Sequence, residues 1–411
     1  MNSITFACVL TASFLPTNAF LKPLSHSPSS SSFSSLSDGD VYPSKFLTDG
    51  MKYRQLGESD LVVSEICLGT MTWGSQNTHQ DACEQLDMAF DEFGVNFIDT
   101  AEMYPIPIRP EHQGETDVAI SRWLKHRNRD DVVLASKITG PGEFVKFIRG
   151  GKSPRIRKSD IVESVDNSLK RLGTDYIDLL QIHWPDRYVP LFGSKLYDVN
   201  QERKDEISIE EQLLGFEEVI KSGKVRHIGL SNETPYGVMK FVEIAEEMGL
   251  PRVCSVQNGY SLLNRHETEQ SGLVEVVSKN NANVSFLAYS PLAGGALTGK
   301  YLNPDDLPEK SRLVLFGGFM ERFLNRSCSK AIGDYVEIAN QIGLTSAQLA
   351  LAWCYKQKFV TSTIIGATSM SQLKENLCAY NCPITEEAAE MIQETYYEFT
   401  DPARTWQPKK K

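Results

Sequence analysis

The chain has 411 residues, 41% hydrophobic and 23% charged, which is ordinary globular composition and enough apolar material for one large core. A formal net charge of −11 excludes general electrostatic attraction to nucleic acid or to an anionic membrane. The eight cysteines include no C-x-x-C pair, and Cys378 and Cys382 have no further ligands close by, so reduced, mostly buried thiols are expected rather than a metal site or disulfides.

Residues 1–50 read as a targeting presequence outside the fold. An apolar run at 4–15 is too short to span a membrane and matches a signal-peptide core, although no Lys or Arg precedes it. Thr17 to Pro23 offers a small-residue cleavage site, and 25–37 is rich in serine with no acid before Asp38, which is transit-peptide composition. A signal core, an Ala19-Phe20 junction and a serine tract resemble the two-part presequence of algae with complex plastids, which implies a plastid (chloroplast) location. A disordered tail on a cytoplasmic protein, or the secretory pathway, are the alternatives. No later segment is apolar enough to be a membrane span.

From residue 51 the chain opens on a hairpin at 52–63 around Gly57-Glu58-Ser59-Asp60. Short apolar runs at 65–68, 96–99, 132–136, 177–182, 225–230, 253–256, 285–288 and 362–365 predict strands. Amphipathic patterns at 81–93, 159–172, 209–221, 236–247 and 273–280 predict helices between them. Two more, at 330–341 and 346–356, precede the eighth strand, and 386–398 follows it. The alternation predicts an α/β fold, a (β/α)8 TIM barrel over 51–400, with an N-terminal β-hairpin, extra helices around the eighth strand and a tail at 401–411. A doubly wound sheet would show a glycine fingerprint after its first strand, where Gly69-Thr70-Met71-Thr72-Trp73-Gly74 stands instead. The long connections 139–158, 185–208 and 290–328 all fall on the face where barrels keep their sites.

Three neighbouring strand ends carry chemistry. Phe97-Ile98 runs into Asp99, with Tyr104 just beyond; Lys137 ends the third run and His183 the fourth. Each residue alone fits a bland role, as a cap, a snorkelling lysine or a core histidine. Together they form a set with complementary functions. A buried Lys137 paired with Asp99 keeps its charge and lowers the pKa of the Tyr104 phenol, easing proton transfer from it. His183 can donate a hydrogen bond to the oxygen that Tyr104 protonates. No metal or nucleophile is required, but a hydride donor is, and that must be a cofactor.

Asp99-Thr-Ala-x-x-Tyr104, Lys137 and His183 resemble the catalytic tetrad of the aldo-keto reductases, and the likeness covers about 51–400. It is closest to the Tas-type NADP(H)-dependent branch through Gly-Thr-Met-Thr-Trp-Gly, Ala-Glu-Met-Tyr-Pro, Ser-Leu-Leu-Asn-Arg and Leu-Thr-Gly-Lys-Tyr. The resemblance implies that Ser231, Asn232 and Gln257 hold the carboxamide of NADP(H) and that Tyr289 stacks on its nicotinamide. It places Gly69, Thr70 and Met71 beside the cofactor and Ser290, Pro291 and Leu292 along the pyrophosphate. Gly366, Ala367, Thr368, Gln372, Glu375 and Asn376 then form the adenosine side, where a helix N-terminus can cradle an anion. Where some branches carry Lys and Arg in that segment, this chain has Gly366 and Gln372. The charge for a 2′-phosphate is therefore expected from Lys300 and Arg312, with Thr368 and Gln372 as neutral alternatives.

Gly294-Gly-Ala-Leu-Thr-Gly299-Lys300 spells a P-loop up to its last position, where Tyr301 replaces Ser or Thr, and it follows seven strand–helix units. It is read as a decoy. The function expected is reduction of a small aldehyde or ketone by NADPH, with Trp73 and Trp184 lining the substrate pocket, in a monomer or weak homo-oligomer. The alternative is a cofactor-binding regulatory subunit resembling the potassium-channel β-subunits, which share the barrel.

Overall fold

A computed structural model describes residues 50–191, 196–303, 305–309, 311–316 and 320–404. The expected presequence at 1–50, but for residue 50, and the tail from 405 onward lie outside the described residues.

The hairpin forms from β1 (Tyr53–Gln55) and β2 (Val62–Ser64), antiparallel with Tyr53 opposite Ser64. Eight parallel strands follow: β3 (Ile66–Gly69), β4 (Phe97–Asp99), β5 (Val133–Ile138), β6 (Ile177–Ile182), β7 (Val225–Ser231), β8 (Val253–Gly259), β9 (Ser285–Tyr289) and β10 (Val360–Ile365). They close into a barrel in chain order, with β10 paired to both β9 and β3. The helices are α1 (His79–Asp87), α2 (Glu115–Leu124), α3 (Lys158–Leu172), α4 (Ile209–Lys221), α5 (Pro235–Met248), α6 (His266–Glu269) and α7 (Leu273–Val277). Then come α8 (Arg312–Leu315), α9 (Arg326–Gln341), α10 (Ser346–Tyr355), α11 (Met370–Cys378) and α12 (Glu386–Glu398). This is the (β/α)8 barrel with hairpin and extra helices that the sequence predicts. Among the described residues no helix is long and apolar enough to cross a membrane.

The interior is layered by a two-residue step along each strand, which keeps alternate side chains on the inner face. Leu56, Leu61 and Val63 of the hairpin region pack with Cys67, Phe97, Ala135, Leu179, Leu287 and Ile364 in one apolar cluster that plugs one end. Two residues further on, Phe97 gives way to Asp99, Ala135 to Lys137 and Leu179 to Gln181, all buried. Register sets Lys137 opposite Gln181 and Ser231 opposite Gln257. A polar layer thus lies directly above an apolar one, at the C-terminal ends of the strands.

Several boundaries differ from the sequence reading for identifiable reasons. The strands expected at 132–136 and 253–256 continue to Ile138 and Gly259, because this inner layer accommodates Lys137 and Gln257 inside strands. Helix α1 starts earlier than expected, at His79 after a Thr78–Asp81 capping box, and stops at Asp87, where a π turn takes over 88–92. Helix α2 was not anticipated. Its buried stripe is interrupted by Asp117, which breaks the apolar period but is satisfied by Arg171 at 2.9 Å and by the Thr100 hydroxyl at 2.9 Å.

Candidate active site

Lys137 is buried within β5 and its Nζ lies 2.5 Å from Asp99 Oδ2, donating also to the Thr100 carbonyl at 2.9 Å. The other oxygen of Asp99 accepts from Gln181 Nε2 at 3.1 Å and Gln257 Nε2 at 2.8 Å, so the carboxylate is satisfied on both sides. Burial alone would favour loss of the Lys137 proton; the Asp99 carboxylate and the neighbouring Tyr104 together outweigh it and hold the pKa above the usual lysine value. The ammonium sits 5.1 Å from the centre of the Tyr104 ring, behind the wall of a cavity that Asp99, Tyr104 and His183 themselves line.

The Tyr104 phenol corrects one expectation. Burial raises its pKa above the ordinary value, and the Lys137 charge offsets only part of that. At neutral pH the group is therefore fully protonated, a donor awaiting an acceptor rather than a phenol tuned toward neutrality. The imidazole of His183 meets the Tyr104 ring edge-on, with centroids 5.8 Å apart. Burial, then the Lys137 charge, push its pKa well below the usual range. Its Nδ1 is buried with no hydrogen-bond partner among the described residues. A neutral histidine here has a consequence for stability. The unfolded chain takes up a proton below about pH 6.5 that the folded chain refuses, so stability is full above that pH and is lost as pH falls. Urea unfolding between pH 7.5 and 5.5 should show a fall of up to about 1.4 kcal/mol per pH unit from this group, diminished in His183→Gln.

Around the rim, Ser231 donates to the Gln257 carbonyl at 2.8 Å, and Asn232 Nδ2 to the His183 carbonyl at 2.8 Å. The Tyr289 hydroxyl donates to Asn232 Oδ1 at 2.6 Å, which fixes its ring at the end of β9. Asn232 takes a positive φ of 54°, a conformation that asparagine tolerates better than most residues.

The cavity, about 1160 Å³, runs from this layer to the start of α11. It gathers every residue that the sequence assigns to cofactor: Gly69, Thr70, Met71, Ser231, Asn232, Gln257 and Tyr289 near the strand ends, then Ser290, Pro291, Leu292 and Lys300. Arg312, Gly366, Ala367, Thr368, Gln372, Glu375 and Asn376 complete its lining. Helix α11 begins at Met370 with Ser369 as its N-cap, so Gly366 to Thr368 are loop. Thr368 donates through both N–H and hydroxyl to Gln372 Oε1, at 3.0 and 3.1 Å. Lys300 and Arg312 form no ion pair among the described residues, although the charge of Arg312 is felt at the Tyr104 and Tyr301 phenols. The decoy Gly294–Lys300 stretch is a 3₁₀ turn after β9 with Gly294, Gly295 and Gly299 at positive φ, not a strand-to-helix phosphate loop.

Trp184 lines the cavity and seats on Gly140, where an added Cβ would lie 2.5 Å from the indole. Trp73 does not line it. It is fully buried in the core beside α1, donating to Gln85 Oε1 at 3.0 Å, because the turn after β3 directs it behind the wall. The aromatic that sequence reasoning missed is Phe144, exposed at the cavity mouth and stacked on Trp184 at 5.9 Å. Missed too were the ion pairs that fix the loops. Arg149 binds Glu102 at 3.0 Å, and Glu102 accepts from the Thr139 N–H at 2.6 Å. Arg155 grips Asp186 through Nη2 at 2.6 Å and Nε at 2.9 Å. These partners are 47 and 31 residues apart, a separation at which no sequence periodicity signals them.

Residues 65–396 match the model of the aldo/keto reductase family. The chain is 42% identical to Protein tas of Escherichia coli over 355 residues, 86% of this chain and 100% of that protein. It is 39% identical to an aldo-keto reductase of Babesia bovis over 285 residues, 67% of this chain and 99% of the other. A probable voltage-gated potassium channel subunit beta of Arabidopsis thaliana is 32% identical over 332 residues, 80% of this chain and 91% of its own.

Proposed function

This chain belongs to the aldo/keto reductase family, and we propose that it reduces small aldehydes or ketones with NADPH, Tyr104 serving as general acid. The observation that carries the reading is the buried Asp99–Lys137 pair set behind Tyr104, whose ring meets His183 edge-on at 5.8 Å in the lining of one cavity. A bound NADPH would supply the hydride. Tyr104 would give its proton to the carbonyl oxygen, and Lys137 would stabilise the phenolate left behind. His183, neutral and with Nδ1 unengaged, would donate a hydrogen bond to the same oxygen as charge develops.

The lining of the cavity supports this choice of cofactor. An aromatic ring fixed by a hydrogen bond closes β9, Asn232 and Gln257 line the cavity near it, and Lys300 and Arg312, with no ion pair among the described residues, line it too. Tyr289 would face the nicotinamide, Ser231, Asn232 and Gln257 the carboxamide, and Lys300 with Arg312 the 2′-phosphate. Trp184 and Phe144 would line the substrate side with apolar surface.

Steady-state NADPH oxidation by the purified chain, with a panel of aliphatic and aromatic aldehydes, is expected to show turnover. Tight cofactor binding with no turnover on any carbonyl would favour the second reading, a regulatory subunit, which the similarity to a probable channel subunit supports. The plastid address read from residues 1–50 belongs to the same proposal. Fused to a fluorescent reporter in a complex-plastid alga, that segment should deliver it to the plastid, and Phe20→Ala should divert it to an earlier secretory compartment. A diffuse cytosolic signal from the unaltered segment would refute the address.

A further inference from the structure

Most half-buried or buried arginines of this protein have a carboxylate: Arg129 has Asp178, Arg149 Glu102, Arg155 Asp186, Arg171 Asp117, Arg187 Glu233 and Arg265 Glu269. Like Arg312, Arg322 departs from this pattern. It is half-buried, lines the cavity, and forms no ion pair or side-chain hydrogen bond among the described residues. Its guanidinium lies over the ring of Phe323 at 4.6 Å, and its charge is felt at the Tyr289 hydroxyl. Asp401, the carboxylate whose field reaches it, stays outside ion-pair distance and lies 3.3 Å from Arg404 instead. Burial without a counter-charge lowers the pKa of Arg322, which marks a cation whose solvation is incomplete until an anion arrives.

The cavity lining also offers apolar side chains, among them Met71, Ile106, Trp184 and Met320, beside polar ones such as Arg109, Asn232 and Arg312. Arg322 supplies a charged anchor beside apolar surface that would hold the hydrocarbon body of a substrate. We propose that Arg322 is a specificity-determining residue that binds a carboxylate on the carbonyl substrate, so that the preferred substrates are aldehyde or keto acids. The proposal rests on the reductase reading above and names its substrate class. A carboxylate is favoured over a phosphate dianion because one guanidinium matches one negative charge through two parallel donors. The cofactor is the other anion that enters this cavity. The charge of Arg322 is felt at the Tyr289 hydroxyl, at the proposed nicotinamide end, whereas Lys300, a proposed phosphate contact, lies over the Tyr301 ring at 5.2 Å.

The test compares 4-oxobutanoate with its neutral methyl ester as substrates for the full chain at saturating NADPH. The acid should have the higher kcat/KM by about tenfold or more, mainly through KM, and the advantage should shrink with salt. In Arg322→Gln the acid-to-ester ratio should fall by about tenfold to a hundredfold, and Arg322→Lys should recover part of it. A second measurement needs no turnover: calorimetric titration of benzoate into the NADP⁺-loaded chain should show binding that Arg322→Gln weakens at least about tenfold. If neither aldehyde is reduced but benzoate binding depends on Arg322, the reductase reading fails and the carboxylate site stands. A wild-type ratio near one, equal loss for acid and ester, or benzoate affinity unchanged in Arg322→Gln overturns the proposal. So does a loss of NADPH affinity with the ratio unchanged, which would assign Arg322 to the cofactor.

Discussion

Tyr104→Phe is expected to lower kcat for carbonyl reduction by about 10²–10⁴ while NADPH affinity stays within about twofold, since a positioned general acid contributes on that order. The substitution removes one oxygen and leaves the ring, which packs with Met103, Ile106, Val145 and Trp184 among the loops over the barrel. The fold should therefore survive, and thermal unfolding should confirm it. Retention of more than roughly a tenth of wild-type turnover would contradict the assignment of the proton donor, given the usual size of such effects. Lys137→Met should be comparably damaging for a different reason. It withdraws the charge that would stabilise the departing phenolate, and it strips Asp99 of its counter-ion in a buried layer, where breaking a pair costs about 3–5 kcal/mol. The Asp99 contacts from Gln181 and Gln257 remain in that variant, so part of the loss should be recovered where the carboxyl can take up a proton. The pH profile separates the roles further. A donor whose pKa is raised stays protonated as pH climbs, so the alkaline fall in kcat/KM should lie above the ordinary phenol value of about 10. Were the cation to dominate, as the sequence suggested, the fall would begin nearer neutrality.

The sequence carries the barrel because strands buried on both faces write themselves as unbroken apolar runs. It carries Asp99 and His183 because each interrupts such a run at its end, where an apolar side chain would otherwise stand. Lys137 is legible for the same reason, although it lies inside β5 and not after it. What stays hidden is anything settled between distant segments. Asp117 looks like a breaker of α2 until Arg171 and Thr100 close on it from 54 and 17 residues away. Trp73 reads as a pocket aromatic because it follows a strand end, but the turn points its indole at Gln85 in the core. The pKa of Tyr104 depends on how much water the loops exclude, which residue identity does not record. Arg322 stands between Glu321 and Phe323 and resembles any solvated arginine in sequence, until its lack of a carboxylate among the described residues is seen in three dimensions.

Cofactor choice is where charge decides between two sets of residues that the same cavity offers. Arg312→Ala is expected to weaken NADPH by about ten- to a hundredfold, the worth of a charge-assisted bidentate contact at about 1.5–3 kcal/mol. NADH affinity should hardly change, since that ligand has no phosphate at the ribose 2′ position. The neutral alternative, Thr368 with Gln372, is weakened by their own geometry. The Thr368 N–H and hydroxyl both donate to Gln372 Oε1, so binding a phosphate there would first break two hydrogen bonds and then leave a dianion with no counter-charge. Lys300 and Arg312 carry no such cost, having no ion pair among the described residues to give up. The field of Arg312 at Tyr104 adds a second readout, because removing a cation near the phenol should raise its pKa further and move the alkaline limb of kcat/KM upward. Dissociation constants for both cofactors in the wild type and in Arg312→Ala decide the matter. Selective loss of NADPH assigns the 2′-phosphate to the arginine, retained preference assigns it to the neutral pair with Lys300, and equal loss of both cofactors would mean that the substitution disordered the segment around α8.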